Sequence, residues 1–208
     1  MQYWRLFGLA VLSLAFTACA KSEKSQASDT LAIRIDSGPQ TKPTRSAPKK
    51  MPIIISSPVF APNGSIPSKY TCEGADMSPP LEWFGVPPDA KTLALIVDDP
   101  DAPDPAKPQR VYVHWVVYNI PANITKLAEN ASKTGLPGGA IQGINDWRKQ
   151  TYGGPCPPIG RHRYFFKLYA LDTVLPEMLI PTKAQLEKEM EEHLVDFSEL
   201  IGTYQKTK

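Results

Sequence analysis

Three apolar runs in the middle of the chain alternate with polar, proline-rich segments. Residues 92–97 (TLALIV) and 164–172 (YFFKLYALD) are short and rich in branched and aromatic side chains, and residues 111–120 (VYVHWVVYNI) form the longest such run. Runs of this length and composition, bounded by turn residues, are typical of strands buried in a sheet. The pattern therefore predicts three central strands.

Weaker patterns flank the central strands. Short apolar stretches predict brief strands over 53–55 and 59–60 and an extended segment over 69–72. Residues 121–151 have little periodicity and many Gly and Asn residues, which predicts a long loop.

The C-terminal part has a helical pattern. Thr182 is a typical helix N-cap, and Leu186, Met190 and Leu194 recur at four-residue spacing. This predicts an amphipathic helix over 183–194, and the following residues up to 204 predict one more short helix or strand. Several strands followed by a terminal helix favour a mainly β, sandwich-like fold with few helices.

The beginning of the chain is typical of an export signal. Arg5 provides a positive start, and residues 6–16 are apolar but too few to span a bilayer as a mature helix. We expect the signal to cover residues 1–19.

Two kinds of processing fit the end of this signal. Residues 16–19 (FTAC) resemble a bacterial lipoprotein box, in which Cys19 would be lipidated and become the new N-terminus. Residues 18–20 also fit ordinary signal peptidase, which would give a soluble secreted protein. We favour lipidation, because a cysteine at the end of such an apolar region is rare by chance.

Charge and polarity divide the rest of the chain. Residues 20–50 are rich in Lys, Ser, Pro, Thr and Gln, which predicts a flexible tether. Residues 51–208 form one domain of ordinary size that carries 15 basic and 18 acidic side chains. A net charge of −3 without a basic stripe argues against nucleic-acid binding.

The sequence leaves the state of two cysteines open. If Cys19 is lipidated, Cys72 and Cys156 remain in the domain, and an oxidising compartment would allow a disulfide between them. Buried free cysteines are the alternative, since the sequence does not show whether the two Cα atoms approach each other.

Polar side chains cluster where the central strands begin and end. Asp99 and Asp101 follow the first strand, His114 lies within the second, and His162 precedes the third. If these strands are neighbours, the four side chains meet at one rim of the sheet. Imidazole donors oriented by carboxylates suit a small anion such as phosphate, and the carboxylates suit an amine.

These motifs resemble the signatures of the phosphatidylethanolamine-binding proteins, also called Raf kinase inhibitor-like proteins. The matching segments are 99–103 (DPDAP), 114–117 (HWVV) and 154–164 (GPCPPIGRHRY). Residues 72–74 and 145–146 resemble the bacterial branch of the family.

The resemblance covers residues 53–204 and implies an antiparallel β-sandwich, a larger sheet facing a smaller one, with one or two C-terminal helices. It also implies a small pocket at one end of the sheet for phosphate-like anions or phospholipid headgroups. Carried over by motif, the pocket residues are Asp99, Asp101, His114, Pro157, His162 and Tyr164. Trp147 and Arg148 depart from the bacterial pattern, which bears on ligand preference.

We therefore expect a binding protein without a cofactor, held at the membrane of the bacterial cell envelope by its lipid. The chain lacks the Gly-x-Ser-x-Gly elbow of many hydrolases. One alternative is a metal-assisted hydrolase that uses the two histidines and two aspartates. Another is an inhibitor or partner of an envelope protein, with residues 121–151 as its recognition surface.

Overall fold

The computed structural model describes residues 51–207. The predicted signal, residues 1–19, and the predicted tether, residues 20–50, lie outside these residues, and so does Cys19. Across 51–207, no helix is long and apolar enough to cross a membrane.

Within the described residues, eight strands pair into two antiparallel sheets. In chain order they are β1 (Ile54–Ser56), β2 (Leu81–Phe84), β3 (Thr92–Asp99), β4 (Tyr112–Pro121), β5 (Lys126–Leu127), β6 (Ile141–Gln142), β7 (His162–Leu171) and β8 (Leu194–Tyr204). The smaller sheet has the order β1-β2-β5, and the larger has the order β6-β4-β3-β7-β8. The three predicted central strands are therefore adjacent, with β3 between β4 and β7.

Helices are short in this part of the chain. They are α1 (Ala131–Thr134), α2 (Lys183–Met190) and the 3-10 turns Ser68–Tyr70, Pro137–Gly139 and Glu191–His193. The predicted N-cap is confirmed, because the Thr182 side chain and Gln185 form a reciprocal capping box at the start of α2. The prediction of a mainly β fold with few helices is also confirmed.

Strand β3 is buried on both faces, as its continuous apolar run predicts. Leu93, Leu95 and Val97 belong to the core cluster shared with the smaller sheet. Ala94 and Ile96 belong to a second cluster on the opposite face, where α2 packs. Because side chains alternate along a strand, the two aspartates that end β3 project to opposite faces.

Strand β4 contains a bulge at His114. Val97 of β3 is paired with Trp115. The next residue of β3, Asp98, is paired with Val113, so His114 is an extra residue without a partner across the strands. A bulge re-aims a side chain against the regular alternation. It allows His114 and Trp115, although consecutive, both to project from the face of β4 that meets the smaller sheet.

Asp98 joins three elements on the α2 face of the sheet. Its side chain is fully buried, and Oδ2 accepts hydrogen bonds from Lys167 Nζ of β7 at 2.9 Å and from Lys183 Nζ of α2 at 2.7 Å. The two lysine side chains are only 22% and 18% exposed. The carboxylate therefore supplies the counter-charge for two largely buried ammonium groups.

Two local predictions near the start of the domain are wrong. Residues 59–60 form a bend, since Pro58 precedes them, and only Phe60 is buried in the core. The segment predicted as extended over 69–72 begins instead with the turn Ser68–Tyr70, which closes when the Thr71 N–H and hydroxyl both donate to the Ser68 carbonyl.

The predicted helix also ends early. Leu194 does not share the apolar face of α2 but begins β8, where its side chain is 51% exposed. A 3-10 turn ends the helical segment at His193, whose carbonyl accepts the backbone N–H of Asp172. The residues up to 204, left open between helix and strand, form the long strand β8.

We predict that Asp98→Asn lowers the free energy of unfolding by about 3 kcal/mol, because two largely buried lysines lose their shared counter-charge. Chemical denaturation measures this change. Asp89→Asn is the matched control, since Asp89 is exposed in a turn, and a change within about 0.5 kcal/mol is expected there. Equal stability of the two variants would contradict the assigned role of Asp98.

Candidate functional site

A cavity of about 420 Å³ lies at the end of the larger sheet where β3 ends and β7 begins. Its walls come from three neighbouring strands and the loops that flank them. The lining includes Asp99, Arg110, Tyr112, His114, Trp147, Cys156, Pro157 and His162.

Four of the six predicted site residues line this cavity, namely Asp99, His114, Pro157 and His162. Asp101 and Tyr164 do not line it. Both are nonetheless buried and contact residues that do, so the distant motifs converge on one region. Whether these residues bind a ligand stays a prediction.

His162 and Asp99 form a buried pair. His162 Nδ1 lies 2.7 Å from Asp99 Oδ2, and His162 Nε2 lies 3.0 Å from the Ile159 carbonyl oxygen. Both partners only accept hydrogen bonds, so both bonds are made together only if the ring carries both N–H protons. The sequence predicted that His162 donates to a ligand, but both of its nitrogens already have protein partners.

Asp101 holds Arg163 instead of lining the cavity. Its carboxylate accepts a bidentate pair of bonds from the Arg163 guanidinium, at 2.9 and 2.6 Å, and a third from the Arg163 backbone N–H at 2.9 Å. These bonds keep the pKa of Asp101 below its usual value. Because the Asp101 N–H also donates to Asp99 Oδ1, Asp101 is a positioning residue for the His162–Asp99 pair.

His114 is held differently, with one ring nitrogen left open. Its Nδ1 lies 2.7 Å from the Gly153 carbonyl oxygen, which can only accept, so Nδ1 carries the proton. Burial lowers the pKa of His114 and outweighs the opposite effects of this bond and of nearby carboxylates. The ring is therefore neutral at pH 7, and its Nε2 is an acceptor without a protein partner among residues 51–207.

Aromatic rings pack edge-on around His114. The centroid of its ring lies 4.9 Å from that of Trp147, 5.1 Å from that of Tyr164 and 5.6 Å from that of Tyr112. The Tyr164 hydroxyl is buried and has no hydrogen-bond partner in the described residues. Burial raises the pKa of Tyr164, which keeps this hydroxyl protonated.

Arg110 adds a charge that sequence reasoning did not identify. It is the only lysine or arginine among the described residues that line the cavity. Its guanidinium stacks over Tyr112 at 4.3 Å, and its Nη2 lies 4.0 Å from Asp146 Oδ2. That carboxylate oxygen already accepts the Val113 backbone N–H at 2.8 Å. Half of the Arg110 side chain is exposed, so it remains free to contact a ligand.

A disulfide fixes the wall that carries Pro157. Cys72 and Cys156 are bonded, with their Cα atoms 5.4 Å apart, which resolves the alternative that the sequence left open. The Cys72 backbone N–H donates to the Pro155 carbonyl, and the Gly154 N–H donates to Asp76 Oδ1. The proline-rich loop is thereby anchored to the segment around Cys72.

A metal centre has no counterpart in this geometry. Within residues 51–207, no group of three or more His, Cys, Asp or Glu side chains is arranged to hold a metal ion. The His162–Asp99 pair and His114 lie near each other but supply only one ring nitrogen that is not already bonded to the protein.

Residues 56–205 match the family model described as phosphatidylethanolamine-binding protein. The chain belongs to this family. The resemblance inferred from the DPDAP, HWVV and GPCPP motifs is therefore confirmed, and the match covers nearly the same residues as those motifs predicted.

Two relatives of this phosphatidylethanolamine-binding protein are matched over nearly their whole length. A UPF0098 protein of Chlamydia pneumoniae is 50% identical over 151 residues, which make up 73% of this chain and 97% of the relative. A UPF0098 protein of Methanothermobacter thermautotrophicus is 51% identical over 148 residues, or 71% of this chain and 95% of the relative.

Two solved structures share the fold. A phosphatidylethanolamine-binding protein homologue of Chlamydia trachomatis has a TM-score of 0.68 and 41% identity, with 74% of this chain and 98% of that chain covered. YbcL of E. coli, described as a member of the mammalian family, has a TM-score of 0.68 and 32% identity, with 76% and 100% covered. Both support the two-sheet fold of the family.

Replacing both bonded cysteines, as Cys72→Ser with Cys156→Ser, should lower the free energy of unfolding by about 2–5 kcal/mol. The disulfide closes a loop with a sequence separation of 84 residues, and its loss frees that loop in the unfolded chain. Urea denaturation of the double variant and of the oxidised wild type gives the difference. Wild type under reducing conditions should match the variant; a variant as stable as the oxidised protein would contradict this prediction.

Proposed function

We propose that this protein is an exported, membrane-tethered binding protein whose cavity around His114 takes a phosphate-like group or a phospholipid headgroup. One observation carries the proposal. The cavity combines an open ring nitrogen on His114 with the positive charge of Arg110, in a wall otherwise formed by aromatic rings and prolines. A small polar, anionic group can use both features, and the rings exclude water around it.

The family supports a phospholipid-type ligand. The matching family model is named for phosphatidylethanolamine binding, and so is the homologue from Chlamydia trachomatis. A headgroup of this kind carries a phosphate and an amine, which are complementary to a guanidinium and to carboxylates. The cavity volume of about 420 Å³ falls within the range of small-molecule sites.

Two observations support an exported location. Residues 1–19 have the pattern of an export signal that ends at Cys19. The disulfide between Cys72 and Cys156 is of the kind that persists in oxidising compartments. The basic tether would then lie near anionic headgroups at the membrane surface.

We favour binding over catalysis because no activated nucleophile faces the cavity among residues 51–207. The Cys156 thiol is consumed by the disulfide. Ser78 is fully buried, its hydroxyl oxygen accepts the Ser132 backbone N–H, and it does not belong to the cavity lining. A metal-assisted hydrolase would need ligands that the described residues do not group together. An envelope protein partner bound through residues 121–151 stays a prediction.

His114→Ala should weaken binding of inorganic phosphate and phosphoethanolamine by about 10- to 100-fold, because a bond to a charged ligand group contributes about 1.5–3 kcal/mol. Titration calorimetry of the purified protein measures this change, and circular dichroism shows whether the variant folds. His193→Ala is the matched control, since His193 pairs with Asp172 outside the cavity. Unchanged affinity in a folded His114→Ala variant would contradict the proposal that this cavity is the binding site.

Cys19→Ser should release the protein from the membrane fraction of cells and abolish labelling by a radioactive fatty acid. The thiol of Cys19 is the acceptor that a lipoprotein signal requires. Cell fractionation tests this, with the Cys72→Ser and Cys156→Ser double variant as a control that retains Cys19. A wild-type protein found only in the soluble envelope fraction would favour ordinary signal-peptidase cleavage.

A further inference from the structure

The protonation of His114 determines which ligand groups it can bind. Its Nδ1 proton is committed to the Gly153 carbonyl, and the neutral ring offers only the lone pair of Nε2. A lone pair repels a fully ionised oxygen and needs a ligand atom that carries a proton. The buried part of the cavity therefore binds a ligand group that donates a hydrogen bond. The sequence analysis had instead expected the imidazoles to donate to an anion.

His162 does not change this requirement. Both of its ring nitrogens are bonded, to Asp99 and to the Ile159 carbonyl, and neither is available to a ligand. Each carboxylate oxygen of Asp99 already accepts one bond, from His162 or from the Asp101 N–H. Among the ring nitrogens that line the cavity in the described residues, His114 Nε2 is the one without a protein partner, so a ligand can reach it without breaking one of these bonds.

Arg110 sets the opposite requirement. Its charge is permanent, it stacks on a ring of the cavity wall, and its distance of 4.0 Å from Asp146 exceeds a direct hydrogen bond. The guanidinium can therefore turn its N–H groups to a ligand oxygen. His114 therefore favours a ligand group that carries a proton, and Arg110 favours a ligand group that carries negative charge.

We propose that the cavity selects a phosphate monoester in its singly protonated form, whose hydroxyl donates to His114 Nε2 while Arg110 binds its ionised oxygens. This inference rests on the proposed function and narrows its ligand class. A singly protonated monoester has both features in one group. Sulfate and a simple phosphodiester such as dimethyl phosphate carry negative charge but no hydroxyl at neutral pH, so they leave His114 unsatisfied.

The same reasoning applies to intact phospholipids. The headgroup of phosphatidylethanolamine is joined to its lipid through a phosphodiester, which has no phosphate hydroxyl. The ammonium of the headgroup could donate to His114 instead. The phosphate, at the other end of the headgroup, would then have to reach Arg110. Free phosphate esters and lipids that end in a phosphate monoester share the favoured chemistry, whereas glycerophosphoethanolamine represents the intact phosphodiester headgroup with its ammonium.

Affinity for a monoester should also depend on pH. The second pKa of a phosphate monoester is about 6, so the singly protonated fraction falls as the pH rises from 6 to 8. The groups that face His114 are Tyr112, Trp147, Tyr164 and the His162–Asp99 pair, with the Asp98 and Asp146 carboxylates nearby. An arginine side chain stays charged throughout this range, so Arg110 does not contribute to the pH dependence of the affinity.

Titration calorimetry of the purified full chain with methyl phosphate, dimethyl phosphate, sulfate and glycerophosphoethanolamine tests the proposal. We expect methyl phosphate to bind at least about tenfold more tightly than the other three at pH 6.5 and to weaken toward pH 8. Sulfate or dimethyl phosphate binding as tightly as methyl phosphate would mean that His114 takes up a proton and donates, which overturns the proposal. Tighter binding of glycerophosphoethanolamine would overturn it in favour of an ammonium donor.

Two variants test the part assigned to Arg110. Arg110→Gln should weaken methyl phosphate binding about tenfold and reduce its salt dependence, because a charge-assisted contact is lost. Lys107→Gln is the matched control, since Lys107 is exposed in the same loop and does not line the cavity. Equal effects of the two changes, or none, would overturn the role of Arg110. If none of the four ligands binds wild type, the proposed function fails together with this inference, whereas binding without selectivity leaves the proposed function intact.

Discussion

The hydrogen bond between His114 Nδ1 and the Gly153 carbonyl is the constraint on which the site depends. It fixes which nitrogen carries the ring proton, and burial among aromatic rings keeps a second proton off. The bond exists only because a β-bulge turns His114 out of the regular alternation of β4. The Gly153 backbone returns a bond from its own N–H to the His114 carbonyl, so the loop and the bulge hold each other.

The remaining parts of the site support this arrangement through β3. Its last two residues carry carboxylates on opposite faces: Asp98 holds β7 and α2 through two lysines, and Asp99 orients His162 beside the cavity. Asp101 then ties the following loop to Arg163. Each of these three carboxylates has a defined protein partner, so the acidic motif of this chain builds the frame of the cavity.

The sequence predicted the central strands, the capped C-terminal helix and the convergence of the histidine and aspartate motifs, because strong apolar runs and specific motifs determine these features locally. It did not predict the roles within the cluster. The alternation of β4 as read from sequence cannot place a bulge, and nothing around Asp101 marks Arg163 as its partner. Arg110 ends a proline-rich loop and has no local pattern of its own, and only the fold brings it over Tyr112.

Donor and acceptor counts, more than the presence of histidines, determine what such a cavity can bind. Two imidazoles in one pocket suggest two cationic donors when only composition is considered. In this cavity both ring nitrogens of His162 have protein partners, and His114 offers only the lone pair of Nε2. The ligand that we propose must therefore donate a hydrogen bond to His114. Among the described lining residues, Arg110 is the only lysine or arginine, and it lies at the end of a loop. The ligand choice that we propose therefore depends on a single tautomer, set by one backbone carbonyl, together with the charge of Arg110, which lies outside the motifs that the sequence analysis identified.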